Sequence, residues 1–202
     1  LVVAVPGGRV VPNFEITGGG GNVETVQLSD KPPVEDYGQS LPVQELFLVE
    51  GPRVLQLTNF GRIDTSGHVM SGGRVLLMAS VNPPGTNTNP GGNCQLFSMN
   101  GLGGGLRQLT RLSDPGRPQF GCAAFYPGRA CSISSFPQDP VTRTIVFGSS
   151  CGPVGRNPYG FQYFSMGPDG SGLRQLTSTR GMTTDPDGTV HVEMPGPSAY
   201  SR

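Results

Sequence analysis

The residues Gly148-Ser149-Ser150-Cys151-Gly152 match the G-x-S-x-G pattern, which places a serine nucleophile on a sharp turn between a strand and a helix. A serine in this role also needs a histidine and an acidic residue from later in the chain. Only His191 follows, and Pro153 and Pro158 oppose a helix after the motif. The pattern therefore favours a loop at the edge of a sheet, and we predict that the chain is not an enzyme.

Residues that could bind a metal ion are few and poorly spaced. His68 and His191 are the only histidines, and no acidic residues accompany them at a ligand spacing. The Asp169-Gly170 and Asp185-Pro186-Asp187-Gly188 segments could suggest calcium, but they lack the later acidic ligand of an EF-hand. Because tight turns require Asp and Gly in any case, turns explain these segments better. We predict no metal and no cofactor.

Charged residues are balanced, with 14 basic and 14 acidic side chains and a formal net charge of zero. The chain has no basic stripe for nucleic acid and no amphipathic basic helix for a membrane surface. It also has no run of the roughly 20 apolar residues that a membrane span needs. Asp30, Glu35 and Asp36 form the one acidic cluster, which suits a solvated loop better than acid–base catalysis. We predict neither a nucleic-acid partner nor a membrane span.

The four cysteines lack the C-x-x-C spacing of metal and redox sites. An even number of cysteines in a loop-rich chain favours disulfides and an oxidising compartment, with free buried thiols as the alternative. We predict a Cys122–Cys131 bond, because only eight residues separate the two, and a Cys94–Cys151 bond between strand ends on one rim. Two other pairings and bonds between chains remain open.

One sequence pattern occurs three times and organises the chain. Each copy has two β-rich runs joined by a turn and closes on Gln-Leu-Thr, at Thr58, Thr110 and Thr177. The closing threonines lie 52 and then 67 residues apart. Each copy is typical of a β-hairpin, and a β-only repeat of about 40–50 residues is typical of propeller blades.

Glycine and proline support the same interpretation. The 32 glycines and 20 prolines suit tight turns between many short strands, and no long segment has helical spacing without them. We therefore predict an all-β single domain with almost no helix. Its four-stranded antiparallel blades are expected at about residues 9–59, 60–111 and 112–179, with a partial blade at 180–202 that residues 1–5 could complete.

The repeat resembles that of the TolB-type, WD-repeat-like β-propeller family. Residues 163–177 carry the family's hairpin pattern nearly throughout, from Tyr163 through the Asp169-Gly170-Ser171 turn to Leu176-Thr177. Residues 96–110 match well, except that Leu102-Gly103-Gly104 replaces that turn, and residues 45–58 match only in their apolar positions and closing Gln-Leu-Thr. The resemblance implies the fold and says little about activity.

About three and a half blades are visible, which leaves the closure of the propeller open. The chain could be part of a longer propeller, close as four blades, or join with other chains. An apolar strand containing Leu1, Val2 and Val3 could complete the partial blade in its own chain or in a neighbour, giving a ring or a filament. We expect deletion of residues 1–5 to destabilise the fold or abolish assembly.

Aromatic residues cluster in the inserted loop at 112–131, namely Phe120, Phe125 and Tyr126. They are candidates for a partner-binding surface or for a small satellite core beneath the loop. We expect a secreted, non-catalytic scaffold or self-assembling structural subunit, extracellular or periplasmic, whose partner is itself or another protein. The chain does not begin with methionine, as after removal of a signal peptide or trimming. The alternative is the propeller part of a larger enzyme or redox complex.

Overall fold

A computed structural model describes residues 8–11, 22–28, 31–36, 39–50, 53–62, 65–70, 72–90, 92–112, 133–134, 136–149, 151, 162–178, 183–184 and 190–191. The chain forms two compact units. The first contains Leu1–Thr110 and Gln119–Ala123, and the second contains Arg111–Pro118 and Ala124–Arg202. All regular elements among the described residues are β-strands, as predicted. None of these residues lies in a helix with the length and apolar character needed to cross a bilayer.

Sheet 1 lies in the first unit and is a four-stranded antiparallel meander with the order β1-β2-β5-β6. Its strands are β1 (Gly8–Val11), β2 (Asn22–Leu28), β5 (Val43–Glu50) and β6 (Arg53–Gln56). A small hairpin of β3 (Val34–Asp36) and β4 (Gln39–Leu41) connects β2 to β5. The loop predicted around Glu35 and Asp36 therefore contains a short hairpin, because an Asp36↔Gln39 register pairs these two strands.

Sheet 2 also lies in the first unit and repeats this meander. It consists of β7 (Ser66–Val69), β8 (Arg74–Ala79), β9 (Gln95–Asn100) and β10 (Arg107–Gln108), hydrogen-bonded in that spatial order. The turn after β9 requires glycines with positive φ, at Gly103 (84°) and Gly105 (63°). The side chain of Asn100 stabilises this turn, because its Oδ1 accepts hydrogen bonds from the backbone N–H groups of Leu102 and Gly104.

Sheet 3 belongs to the second unit and has the same order of strands. It consists of β11 (Ile133–Ser134), β12 (Ile145–Ser149), β13 (Gln162–Met166) and β14 (Arg174–Gln175). Phe147 and Phe164 stack across β12 and β13 with ring centroids 5.6 Å apart and form part of its buried side. A separate pair of strands, β15 (Thr183–Thr184) and β16 (Val190–His191), follows.

Sheets 1 and 2 pack against each other, and the residues of β8 and β9 in their shared core are two apart along each strand, because such side chains project from the same side of a sheet. Sheet 1 contributes Leu46 and Leu57, and sheet 2 contributes Leu77, Phe97 and Met99 to one buried cluster. Gly67 of β7 permits the close approach, because a Cβ atom there would lie 2.8 Å from Leu46 Cδ1 and 3.0 Å from Leu77 Cβ. The two sheets can therefore approach closely at Gly67 because this residue has no side chain.

Candidate interaction surface

A hydrogen-bonded threonine closes the hairpin of all three sheets, and we name this arrangement the threonine network of each sheet. In sheet 2 the hydroxyl of Thr110 donates to Gln95 Oε1 over 2.8 Å and accepts the backbone N–H of Leu96 over 2.9 Å. The side chain of Gln108 donates to the Thr110 carbonyl over 2.6 Å. One hydroxyl thus joins the start of the third strand of the sheet to the end of the fourth.

Sheet 3 has the same network with the same geometry. The hydroxyl of Thr177 donates to Gln162 Oε1 over 2.7 Å and accepts the N–H of Tyr163 over 2.9 Å. Gln175 Nε2 donates to the Thr177 carbonyl over 2.6 Å. The repeated Gln-Leu-Thr sequence is therefore explained by hydrogen bonds: the glutamine and the threonine bond the hairpin, and the intervening leucine projects from the opposite side of the strand.

Sheet 1 differs in one residue, because buried Glu45 replaces the acceptor glutamine. Thr58 donates its hydroxyl to Glu45 Oε2 over 2.6 Å, and the backbone N–H of Gly61 donates to Glu45 Oε1 over 2.6 Å. Both carboxylate oxygens are hydrogen-bonded, as a buried carboxylate requires. These groups serve hairpin structure, since the threonine hydroxyl already donates one hydrogen bond and accepts another.

The G-x-S-x-G segment lies at the end of β12. Ser149 is fully buried, and its hydroxyl accepts the backbone N–H of Cys151 over 3.1 Å. Ser150, the expected nucleophile of such a pattern, lies outside the described residues. The serine that the structure does describe here stabilises the end of a strand.

The two histidines lie on strands of different units. His68 pairs with Leu76 across β7 and β8, and His191 pairs with Thr183 across β15 and β16. Within the described part of the chain, no group of three or more His, Cys, Asp or Glu side chains could hold a metal ion. Asp169 organises a turn, because its Oδ1 accepts the Ser171 N–H and the Ser171 hydroxyl.

Among the carboxyl groups that the structure describes, two have a shifted pKa. Hydrogen bonds from the backbone N–H groups of Thr142 and Val141 lower the pKa of Asp139, which closes the turn between β11 and β12. Partial burial raises the pKa of Glu24 on β2. The predicted acidic cluster falls on the β3–β4 hairpin for Glu35 and Asp36, whereas Asp30 lies outside the described residues.

Cys94 and Cys151 are both buried and disulfide-bonded. Cys122 and Cys131 lie outside the described residues, so the predicted connectivity stays a prediction. The predicted interaction residues Phe120, Phe125, Tyr126, Leu1, Val2 and Val3 also lie outside the part of the chain that the structure describes.

One surface that the sequence reasoning missed lies on sheet 3. We name it the Leu176 face, and it consists of Tyr163, Ser165, Arg174 and Leu176, which alternate onto one side of β13 and the strand after it. Leu176 is 39% exposed, whereas the corresponding Leu57 and Leu109 are 7% and 9% exposed. Aligning the three repeats would have located the position, but its exposure depends on what covers each sheet.

A second surface is the loop between β8 and β9, which has no charged residue. Buried Asn89 closes its base: its Nδ2 donates to the carbonyls of Val81 and Asn93, over 2.9 and 2.8 Å, and its Oδ1 accepts the Asn93 N–H. Thr86 binds the carbonyl of Pro83 within the loop. The result is an ordered polar loop whose outer residues, 84–88, are exposed.

Neither the known protein-family models nor the curated proteins contain a match to this sequence.

Proposed function

We propose that this chain is a non-catalytic β-propeller of the TolB-like type that works by contact with other protein surfaces. One observation carries the proposal: consecutive sheets of the same meander order pack against each other through opposite faces of the repeat, here Leu46 and Leu57 of sheet 1 against Phe97 and Met99 of sheet 2. Blades of a propeller pack in this way around a central channel. Rigid scaffolds of this kind present their loops and uncovered faces for recognition.

An extracellular or periplasmic location belongs to the same proposal. Cys94 and Cys151 are oxidised, and disulfides persist mainly in oxidising compartments. The polar, uncharged loop around Asn89 and the Leu176 face suit contacts with another protein or with a second copy. In this proposal the protein is an interaction scaffold or a self-assembling structural subunit.

Electron microscopy of the purified full chain, combined with X-ray scattering, tests the arrangement of sheets. We expect disc-shaped particles with blades around an axis. An elongated particle, in which the sheets do not surround a common axis, would contradict the propeller.

Sedimentation velocity across a range of protein concentrations tests assembly. A self-assembling subunit should form particles whose mass is a multiple of 21.2 kDa. A mass of one chain at every concentration would exclude self-assembly and leave only a scaffold for other proteins.

A further inference from the structure

Asn100 and Gly101 form the only Asn-Gly pair in the chain, and they lie where β9 turns back toward β10. An asparagine in such a pair can modify itself, because the backbone nitrogen of the glycine can attack the side-chain carbonyl carbon of the asparagine. Glycine has no Cβ atom to hinder this approach. Since both groups belong to one chain, the attack is intramolecular and therefore strongly favoured over attack by an outside amine.

The attacking group is available in this turn. Gly101 is half-buried, and its N–H donates to no acceptor within the described part of the chain. The equivalent turn of sheet 3 contains Asp169-Gly170, which could form a ring by the same route. There the attacking N–H of Gly170 already donates to the Gly167 carbonyl over 2.9 Å. The two turns therefore differ in whether the nitrogen is free to react.

The carbonyl group under attack is also well placed. Its oxygen, Asn100 Oδ1, accepts the N–H groups of Leu102 and Gly104 over 3.0 and 2.9 Å. Attack on the adjacent carbon moves negative charge onto this oxygen, and fixed backbone donors stabilise such charge. Asn100 is exposed, so water reaches the amide. Four of the five residues after Asn100 are glycine, and they allow the backbone rotation that ring closure needs.

We propose that Asn100 is a site of self-modification in the folded protein, where it is converted to aspartate and isoaspartate. The Gly101 nitrogen forms a bond to Asn100 Cγ and gives its proton to water, while the Cγ–Nδ2 bond breaks and ammonia leaves. Water then opens the cyclic imide at either of its carbonyl groups. The net reaction consumes one water and releases one ammonia, and nothing is oxidised or reduced.

The modification changes the end of sheet 2. Aspartate adds a negative charge and can keep both hydrogen bonds, because a carboxylate oxygen accepts N–H groups as an amide oxygen does. Isoaspartate adds a methylene group to the backbone between Asn100 and Gly101. It should weaken the bond of 2.8 Å from the Asn100 N–H to the Gly104 carbonyl and loosen the β9–β10 hairpin. This inference concerns the chain alone and is independent of the proposed contact function.

Incubation of the purified full chain at neutral and at mildly alkaline pH, followed by reduction, digestion and mass spectrometry, tests the proposal. Cleavage after arginine releases residues 75–107 as one peptide. Asn100 should be converted before any other asparagine of this peptide, and faster at the higher pH. Electron-based fragmentation should show isoaspartate beside aspartate, whereas direct hydrolysis of the amide gives aspartate alone. The reference positions in the peptide are Asn82, Asn87, Asn89 and Asn93.

Two variants isolate the attacking N–H. Gly101→Pro removes it, and sheet 3 has Pro168 at the same position of its turn. Gly101→Ala is the matched control, because it retains the N–H and places the same Cβ atom 3.0 Å from the Gly73 carbonyl oxygen. Gly101→Pro should leave Asn100 unmodified, whereas Gly101→Ala should slow the conversion several-fold. Circular dichroism verifies that both variants are folded.

The parent chain alone can overturn the inference. If Asn100 stayed intact in the folded chain under conditions that convert it in the denatured chain, the folded turn would protect the residue and the proposal would be wrong. This comparison decides the question even if neither variant folds. Aspartate without isoaspartate, or conversion of Gly101→Pro at the parent rate, would also overturn the proposal, because neither result passes through attack by the Gly101 nitrogen.

Discussion

Sheet 1 and sheet 3 have the same strand order and the same threonine network, yet their equivalent faces have different environments. The sheet 1 face is apolar and buried with Leu57 against sheet 2, whereas the sheet 3 face carries Arg174 and an exposed Leu176. The hydrogen bonds that form the hairpin therefore lie within each repeat. The burial of the hairpin's face depends instead on the residues that pack against the sheet. The comparison distinguishes the residues of the threonine network, which stabilise a sheet, from the face residues such as Leu57, which pack against a neighbouring sheet.

The comparison is tested most strongly by removing the equivalent leucines. Leu57→Ala should lower the free energy of unfolding by about 2–5 kcal/mol, because it opens a cavity in a shared core. Leu176→Ala should cost about 0.5–1 kcal/mol, since much of its surface is already in water. Chemical denaturation of both variants provides the measurement. Equal losses would show that the Leu176 face is covered as fully as the Leu57 face.

The close approach of sheets 1 and 2 is tested at Gly67. Gly67→Ala should destabilise the chain by about 1–3 kcal/mol, because the added methyl group overpacks the contact with Leu46 and Leu77. Thermal and denaturant unfolding measure the loss. The control is Ser66→Ala in the same strand, expected within about 0.5 kcal/mol of the parent. If Gly67→Ala left the free energy of unfolding unchanged, the sheets would be able to move apart enough to accommodate the methyl group, contrary to this prediction.

The shared feature of the sheets is tested at their threonines. Thr110→Val keeps the shape of the side chain but removes the acceptor of the Leu96 N–H and the donor to Gln95, and should cost about 1–2 kcal/mol. Thr110→Ser retains the hydroxyl and should restore most of the stability. Thr177→Val should cost less, because Thr177 is only half-buried. A larger loss at Thr177 than at Thr110 in denaturant unfolding would contradict this order.

The smallest expected effect concerns Glu24 on sheet 1. Burial raises its pKa above the ordinary 4.5, so the unfolded chain releases this proton first as the pH rises. The stabilising contribution of the protonated carboxyl is complete below pH 4.5 and is lost as the pH rises through the raised value. Glu24→Gln should therefore raise stability at pH 7 by at most about 0.5 kcal/mol and have less effect at pH 4. Unfolding curves at both pH values test the sign.

The sequence predicted the elements that depend on local spacing. The hairpins ending at Thr58, Thr110 and Thr177 and the antiparallel order of strands follow from repeated apolar alternation and turn residues. The β3–β4 hairpin was missed because its three-residue strands are too short and polar to show a period. Closure into a propeller stays a prediction.

The candidate interaction surface was predicted less well from the sequence than the hairpins were. The sequence indicated interaction residues at 1–3 and in the inserted loop, whereas the described surface with a distinctive environment is the Leu176 face. Leu57 and Leu176 are both the leucine of the closing Gln-Leu-Thr, so this motif alone does not predict which of them is exposed. Their difference lies in contacts between sheets, which depend on residues far away in the chain.

The three hydrogen bonds of the Asn89 side chain have a consequence for variation at this surface. They fix the two ends of the β8–β9 loop to each other, while residues 84–88 are exposed. Because the loop's base is held independently of its tip, the tip can change in sequence or length without disturbing β8 and β9. Residues 84–88 could therefore vary among related proteins and give different binding specificities. A peptide epitope inserted at this position should leave the structure of β8 and β9 unchanged.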